Sequence, residues 1–174
     1  MKRVVWKNKS NEQLCATIPK NSGIKDGDII NIEKEKIKKI VYSFVVADLF
    51  HYGHLRFLEK ANELGDFHVC GVLTDDAASS YRKKPVAGFK ERRAIVSNLR
   101  CVDMVVAQRT LDTTENLKEL HKRFKSAKLV LVHGSNWDKI PGKAFVKKIG
   151  GKIIKLPYYE KLSDKKVEKE IKKR

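Results

Sequence analysis

Residues 40–54 read Ile-Val-Tyr-Ser-Phe-Val-Val-Ala-Asp-Leu-Phe-His-Tyr-Gly-His. The first seven, IVYSFVV, form an almost unbroken apolar run rich in β-branched residues, which predicts a strand buried on both faces. From His54 the spacing changes to Leu55, Leu58, Ala61 and Leu64, a helical stripe that Gly65 ends. A strand running straight into a helix leaves the helix N-terminus, with its free N–H groups and positive dipole, facing whatever binds at the strand end. Gly53 allows a close backbone approach there. His51 and His54, three residues apart, can donate to phosphoryl oxygens and favour charge that builds on phosphorus in a transition state. Two other readings use the same residues. Asp48, His51 and His54 have the i, i+3, i+6 spacing of a metal triad on a helix, although Gly53 interrupts that face. The histidines can also be plain polar caps, with Phe50 and Tyr52 as packing aromatics.

Outward from this segment, strands and helices alternate. FHVCGVL (67–73), MVVA (104–107), KLVLVH (128–133) and KIIKLP (152–157) read as strands. Helices are expected at Lys90–Leu99, Glu115–Phe124 and Lys143–Ile149, with a basic one from Ser163 to Arg174. Such alternation predicts an α/β fold, a doubly wound parallel sheet with its ligand site beyond the carboxyl ends of the strands. Residues 1–38 differ: VVW, LCATIP and IKDGDIINI are short β-prone pieces, and Asp26-Gly27 is a turn dipeptide. The expected division is a small β module at 1–38 and the α/β domain at 39–174.

The chain has 174 residues, of which 41% are hydrophobic, enough for a substantial core. Its net charge of +17 is uneven, since residues 121–174 hold 17 basic and 5 acidic groups while residues 41–120 hold 11 of each. That field favours polyanions or phosphorylated small molecules. Cys15, Cys70 and Cys101 make no CxxC pair, which excludes a disulfide scaffold and a cysteine zinc site. No apolar run approaches the roughly 20 residues of a membrane span. The expectation is a cytoplasmic protein. The tail from Lys161 to Arg174 carries a thin apolar stripe, Leu162, Val167 and Ile171, which favours a solvated helix packed along one edge over membrane insertion.

The segment from Asp48 to His54 resembles the HxGH signature of the cytidylyltransferase-type nucleotidyltransferases, and the similarity continues beyond it. SYRKKPVAGFKERRAIVSNLRCVDMVV (80–106) resembles that family's basic loop, its ER pair on a helix and its VD-x-VV strand. VLVHGSNW (130–137) resembles its nucleotide-contacting HGDDW loop, and PYYEKLS (157–163) its PYTEGIS closing piece. LTDDAASSYRKKP (73–85) and AQRTLDTTENL (107–117) are similar to the branch associated with phosphoenolpyruvate mutases in phosphonate biosynthesis.

The resemblance implies a Rossmann-like fold and a reaction in which a phosphate or phosphonate oxygen attacks the α-phosphorus of CTP and pyrophosphate leaves in line. On that reading His51, His54, Arg82 and Lys83 are catalytic. Ala47, Asp48, Gly53, Arg92, His133, Gly134, Trp137 and Ser163 bind the nucleotide, with Arg92 at its phosphates. Asp75, Asp76 and Tyr81 lie near the acceptor, for which 2-aminoethylphosphonate, hydroxyethylphosphonate and ethanolamine phosphate are examples. Magnesium is expected with the triphosphate, held by water and phosphate oxygens and not by a protein metal site. Adenylyl transfer from ATP in a cofactor pathway of the FAD synthase or phosphopantetheine type is the alternative. The sequence departs from the family at Phe44-Val45-Val46, where a glycine is usual, and at Arg82, commonly lysine. It departs again at Ser135-Asn136, commonly acidic, and at Lys161, Asp164 and Lys165.

QLCATIPKNSGIKDGDIINI (13–32) resembles the AbrB-like swapped-hairpin module. That resemblance implies a homodimer, since so short a module rarely builds a core alone. It permits nucleic-acid binding, and with it a DNA-binding, nucleotide-sensing regulator, but favours dimerisation.

Overall fold

The computed structural model describes residues 6–7, 14–15, 22–30, 36–81, 83–135, 137–162, 164–171 and 173, and every structural statement below concerns these. The chain divides into two compact units, residues 1–36 and 37–174.

In the first unit, β1 (Trp6–Lys7) pairs antiparallel with β2 (Leu14–Cys15). Asp26-Gly27 forms the expected turn, with Gly27 at φ +87 and the Asp28 carboxylate accepting from the Lys25 amide at 2.7 Å. The strand expected over IKDGDIINI is not found in its described part. The 25–28 loop bonds to itself, and Ile29 is left 97% exposed. The other residues of VVW and LCATIP lie outside the described ones.

The second unit is an α/β fold around a five-stranded, all-parallel sheet. Its strands are β3 (Lys39–Val45), β4 (Phe67–Leu73), β5 (Met104–Gln108), β6 (Lys128–Gly134) and β7 (Lys152–Leu156), in the order β5-β4-β3-β6-β7. The helices are α1 (Tyr52–Asn62), α2 (Asp75–Tyr81), α3 (Phe89–Ser97), α4 (Thr114–Arg123), α5 (Lys143–Lys148) and α6 (Asp164–Ile171). Helix α2 went unforeseen, because seven residues ending in Ser-Ser-Tyr carry too little apolar stripe to be read as helix.

Period-two alternation along β3 sends Val41 and Val45 to one face, where they pack with Leu58 and Ala61 of α1 and Val96 of α3. Tyr42 and Phe44 point to the other face. There the buried Tyr42 hydroxyl bonds to Gln108 at the end of β5 and accepts from Asn116 of α4 at 2.9 Å. Burial pushes this phenol above its ordinary range. Gly71 sits beside it in β4 because any Cβ there would strike the Tyr42 hydroxyl. The first face has its own buried link: Ser43 Oγ lies 2.8 Å from His68 Nε2, and His68 Nδ1 lies 2.6 Å from the Cys101 carbonyl.

After β5 the chain returns through α4 to place β6 on the far side of β3. The strand order therefore reverses between β3 and β6, and the crevice beyond their carboxyl ends is the expected ligand position.

Candidate active site

The turn leaving β3 is built tightly. Ala47 and Leu49, neither of them glycine, adopt φ of 60 and 44, a region costly for residues with a Cβ. Between them, the Asp48 carboxylate accepts from the amides of Val86 at 2.9 Å and Ala87 at 3.0 Å. Asp48 is thus committed to backbone, which argues against the metal triad. Among the described residues no cluster of three or more histidine, cysteine or acidic side chains is placed to hold a metal ion.

Helix α1 begins two residues earlier than its apolar stripe suggests, because His51 caps it. His51 Nδ1 accepts from the Gly53 amide at 3.0 Å, and His54 Nδ1 lies 3.4 Å from the His51 amide it faces. This is a capping box made of two imidazoles. With Nδ1 of each ring turned to a backbone amide, Nε2 is the ring atom left to face a ligand as a donor. The rings lie 4.2 Å apart between centroids, and Phe50 stacks on His54 at 5.4 Å. Gly53 is needed for space: a Cβ there would lie 2.7 Å from His51 Cε1 and 3.2 Å from the Leu162 carbonyl oxygen.

A cleft of about 170 Å³ opens against this corner. Its opposite wall comes from the other face of the sheet: Phe44 of β3, His133 and Gly134 of β6, Trp137 after β6, and Tyr81 at the end of α2. Tyr81 stacks on Trp137 at 4.9 Å, and His133 sits 4.4 Å from Trp137 and 5.0 Å from Phe44. His133 is 5% exposed, and neither ring nitrogen has a hydrogen-bond partner among the described residues. Burial lowers its pKa to about 4. The nearby Gly134 backbone opposes that shift without hydrogen-bond geometry, and the Lys155 charge reinforces it. The ring is therefore neutral at ordinary pH.

The segment after β7 closes one side. Pro157, Tyr158, Tyr159 and Leu162 line the cleft, Tyr159 meets Tyr52 edge-on at 5.3 Å, and the Arg56 guanidinium lies 5.5 Å from the Tyr159 ring centre. Ser135, at a position usually acidic in the resembling family, fastens this segment by accepting from the Tyr158 amide at 3.1 Å. Lys155 Nζ holds the Trp137 carbonyl at 2.6 Å.

Of the residues expected at the site, His51, Gly53, His54, Tyr81, His133, Gly134 and Trp137 line one cleft. Ala47 is buried beneath it, and Asp48 braces the turn. Arg92, assigned to the phosphates by resemblance, is fully buried and bonds to Val46, Ala87 and Asp75. Asp75 is taken up by that pair, whose hydrogen bond holds its carboxyl below the usual range, so it does not line the cleft. Asp76 and Lys83 are exposed and also lie outside the lining. Arg82, Asn136 and Ser163 fall outside the described residues. Sequence reading missed Arg56 and Lys60, which follow one face of α1 at i, i+4 spacing and bring two cations to the cleft. It also missed Phe44, for which no local signal exists, while Tyr158 and Tyr159 lie in PYYEKLS, the stretch that resembles a closing piece, without having been named singly.

Residues 46–163 match the family described as cytidylyltransferase-like. The bifunctional protein HldE of Geobacter sulfurreducens is 34% identical over 129 residues, covering 72% of this chain but 25% of that protein. The glycerol-3-phosphate cytidylyltransferase of Bacillus subtilis is 29% identical over 135 residues, covering 78% of this chain and 98% of that one. This chain thus spans about a quarter of the HldE proteins it matches and nearly all of the second relative. In fold, the lipopolysaccharide core biosynthesis protein of Thermoplasma volcanium superposes with a TM-score of 0.55 at 24% identity, covering 70% of this chain and 98% of that chain.

Proposed function

The chain belongs to the cytidylyltransferase-like family of nucleotidyltransferases, and from that premise we propose that it transfers a cytidylyl group from CTP to the phosphate or phosphonate of a small alcohol or amino alcohol. An acceptor oxygen bonds to the α-phosphorus, the bond from that phosphorus to the bridging oxygen breaks, and pyrophosphate leaves with the electron pair. The observation that carries this reading is the two-histidine cap of α1. It fixes two Nε2–H donors beside a helix N-terminus, where charge on the transferring phosphoryl group and the departing oxygen is met by donors already in position. Positioning then does most of the rest.

The opposite wall suits the planar part of the substrate. Trp137, Tyr81 and Phe44 offer ring faces and edges, and neutral His133 offers one donor and one acceptor. Magnesium would arrive with the triphosphate and neutralise its charge. Asp48 is occupied by backbone, so the protein's part is the imidazole and α1 cations around the phosphates.

Glycerol 3-phosphate is the acceptor in the name of the Bacillus subtilis relative and belongs in any acceptor panel. The phosphonate half of the proposal rests on the resemblance of residues 73–85 and 107–117 alone. The first unit is read as a dimerising module.

The test is pyrophosphate release from CTP, and separately from ATP, across phospho- and phosphonoalcohols including glycerol 3-phosphate. Release with CTP and one acceptor class, abolished by His54→Ala, is the expected result. Release with ATP alone would move the protein to the adenylyl branch, and silence with every pair would end the transferase reading.

A further inference from the structure

Arg92 of α3 has a fully buried side chain, yet its guanidinium bonds to three separate segments. Nε donates to the Ala87 carbonyl at 3.0 Å, in the loop before α3. Nη1 donates to the Val46 carbonyl at the end of β3, and Nη2 donates to Asp75 Oδ1 at 2.7 Å at the start of α2. A buried cation is stable only when paired and hydrogen-bonded, and here one carboxylate and two carbonyls meet that need. Asp48 ties two of the same places from the opposite direction, its carboxylate holding the amides of Val86 and Ala87. Four hydrogen bonds therefore fix the loop before α3 to the turn that leads into His51. That loop carries the exposed cations Lys83 and Lys84.

We propose that Arg92 is a positioning residue: it holds the 83–88 loop and Asp75 in register with the 46–51 turn, and does not itself meet the substrate phosphates. The geometry favours this, because meeting a phosphate would require Arg92 to surrender bonds that nothing else in the described structure replaces. The kinetic half of the proposal rests on the transferase reading above, while the structural half does not.

Arg92→Lys keeps the charge and loses the planar fork, so it tests the fork. In the full-length folded variant, hydrogen exchange at the Val86 and Ala87 amides should quicken roughly tenfold relative to the rest of the sheet. With CTP and an accepted substrate, kcat should fall about tenfold or more while the KM for CTP stays within about threefold. Unchanged exchange in a folded variant overturns the proposal. So does a KM for CTP that rises in step with the loss of kcat, since that marks direct phosphate contact. If Arg92→Lys does not fold, Asp75→Asn carries the test. Asp75 touches neither amide but also meets the Phe89 backbone at the start of α3, so faster exchange in this variant supports a register held by Asp75 and Arg92 together, and unchanged exchange overturns it. Should the wild-type chain turn over no substrate pair, the transferase reading fails and the exchange data alone decide the positioning role.

Discussion

The two walls of the cleft differ in kind. The α1 wall is polar and local: His51, Gly53 and His54 are neighbours in sequence, and their hydrogen bonds run to one another's backbone. The wall facing it is aromatic and assembled from three distant segments, Phe44, Tyr81 and the pair His133 and Trp137. On the first wall each imidazole has one nitrogen held by the helix cap. On the second, neither nitrogen of buried His133 has a hydrogen-bond partner among the described residues. The first wall is held by its own helix cap, and the second packs a buried, neutral imidazole among aromatic rings.

If that contrast holds, damage to the α1 wall should cost turnover and damage to the aromatic wall should cost binding. His54→Ala should show the largest effect, a loss of roughly a hundredfold or more in kcat with a smaller change in nucleotide affinity, read by pyrophosphate release beside calorimetry. Gly53→Ala comes next. Its methyl would press on the His51 ring, and about a tenfold fall in kcat is expected in a protein that still folds by circular dichroism. Trp137→Ala should reverse the pattern, raising the KM for the nucleotide about tenfold while kcat falls less. A parallel loss of kcat and affinity in all three variants would erase the distinction between the walls.

The smallest effect sharpens the point about His133. Its pKa is about 4 in the fold and near 6.5 in an unfolded chain, so between those values the unfolded state takes up a proton that the folded state refuses. Stability should be unaffected by this ring above about pH 6.5, fall as the pH drops toward about 4, and level off below. Burial lowers the pKa of His68 as well, adding to the slope. His133→Phe should keep the His68 share and lose its own, giving a shallower drop of melting temperature with acid. An unchanged slope would mean that His133 is not held neutral.

The same contrast explains what could be read from residues alone. The strand at 40–46, the helix behind it and the parallel α/β order were legible because each is written in local period and turn residues. The imidazole pair was legible for the same reason. The aromatic wall was visible only in part, through Tyr81, His133 and Trp137, because nothing in the spacing of positions 44, 81 and 137 says that they meet. That meeting depends on the return from β5 to β6. Arg92 was placed at the phosphates by resemblance, and neither a motif nor a charge shows that the side chain is fully buried. Helix α2 escaped because Asp75–Tyr81 is too short and too polar to show a stripe.

The reversal of strand order between β3 and β6 has a mechanical consequence. One part of the chain, through β5, supplies both histidines of α1 together with Phe44 and Tyr81. The other, from β6 onward, supplies His133, Trp137 and the tyrosines after β7. A molecule bound in the cleft bridges the seam between these parts, like a rivet through two overlapping plates. Any ligand that binds this cleft and not the unfolded chain would stabilise the assembled sheet by mass action, so the domain would be most robust while loaded.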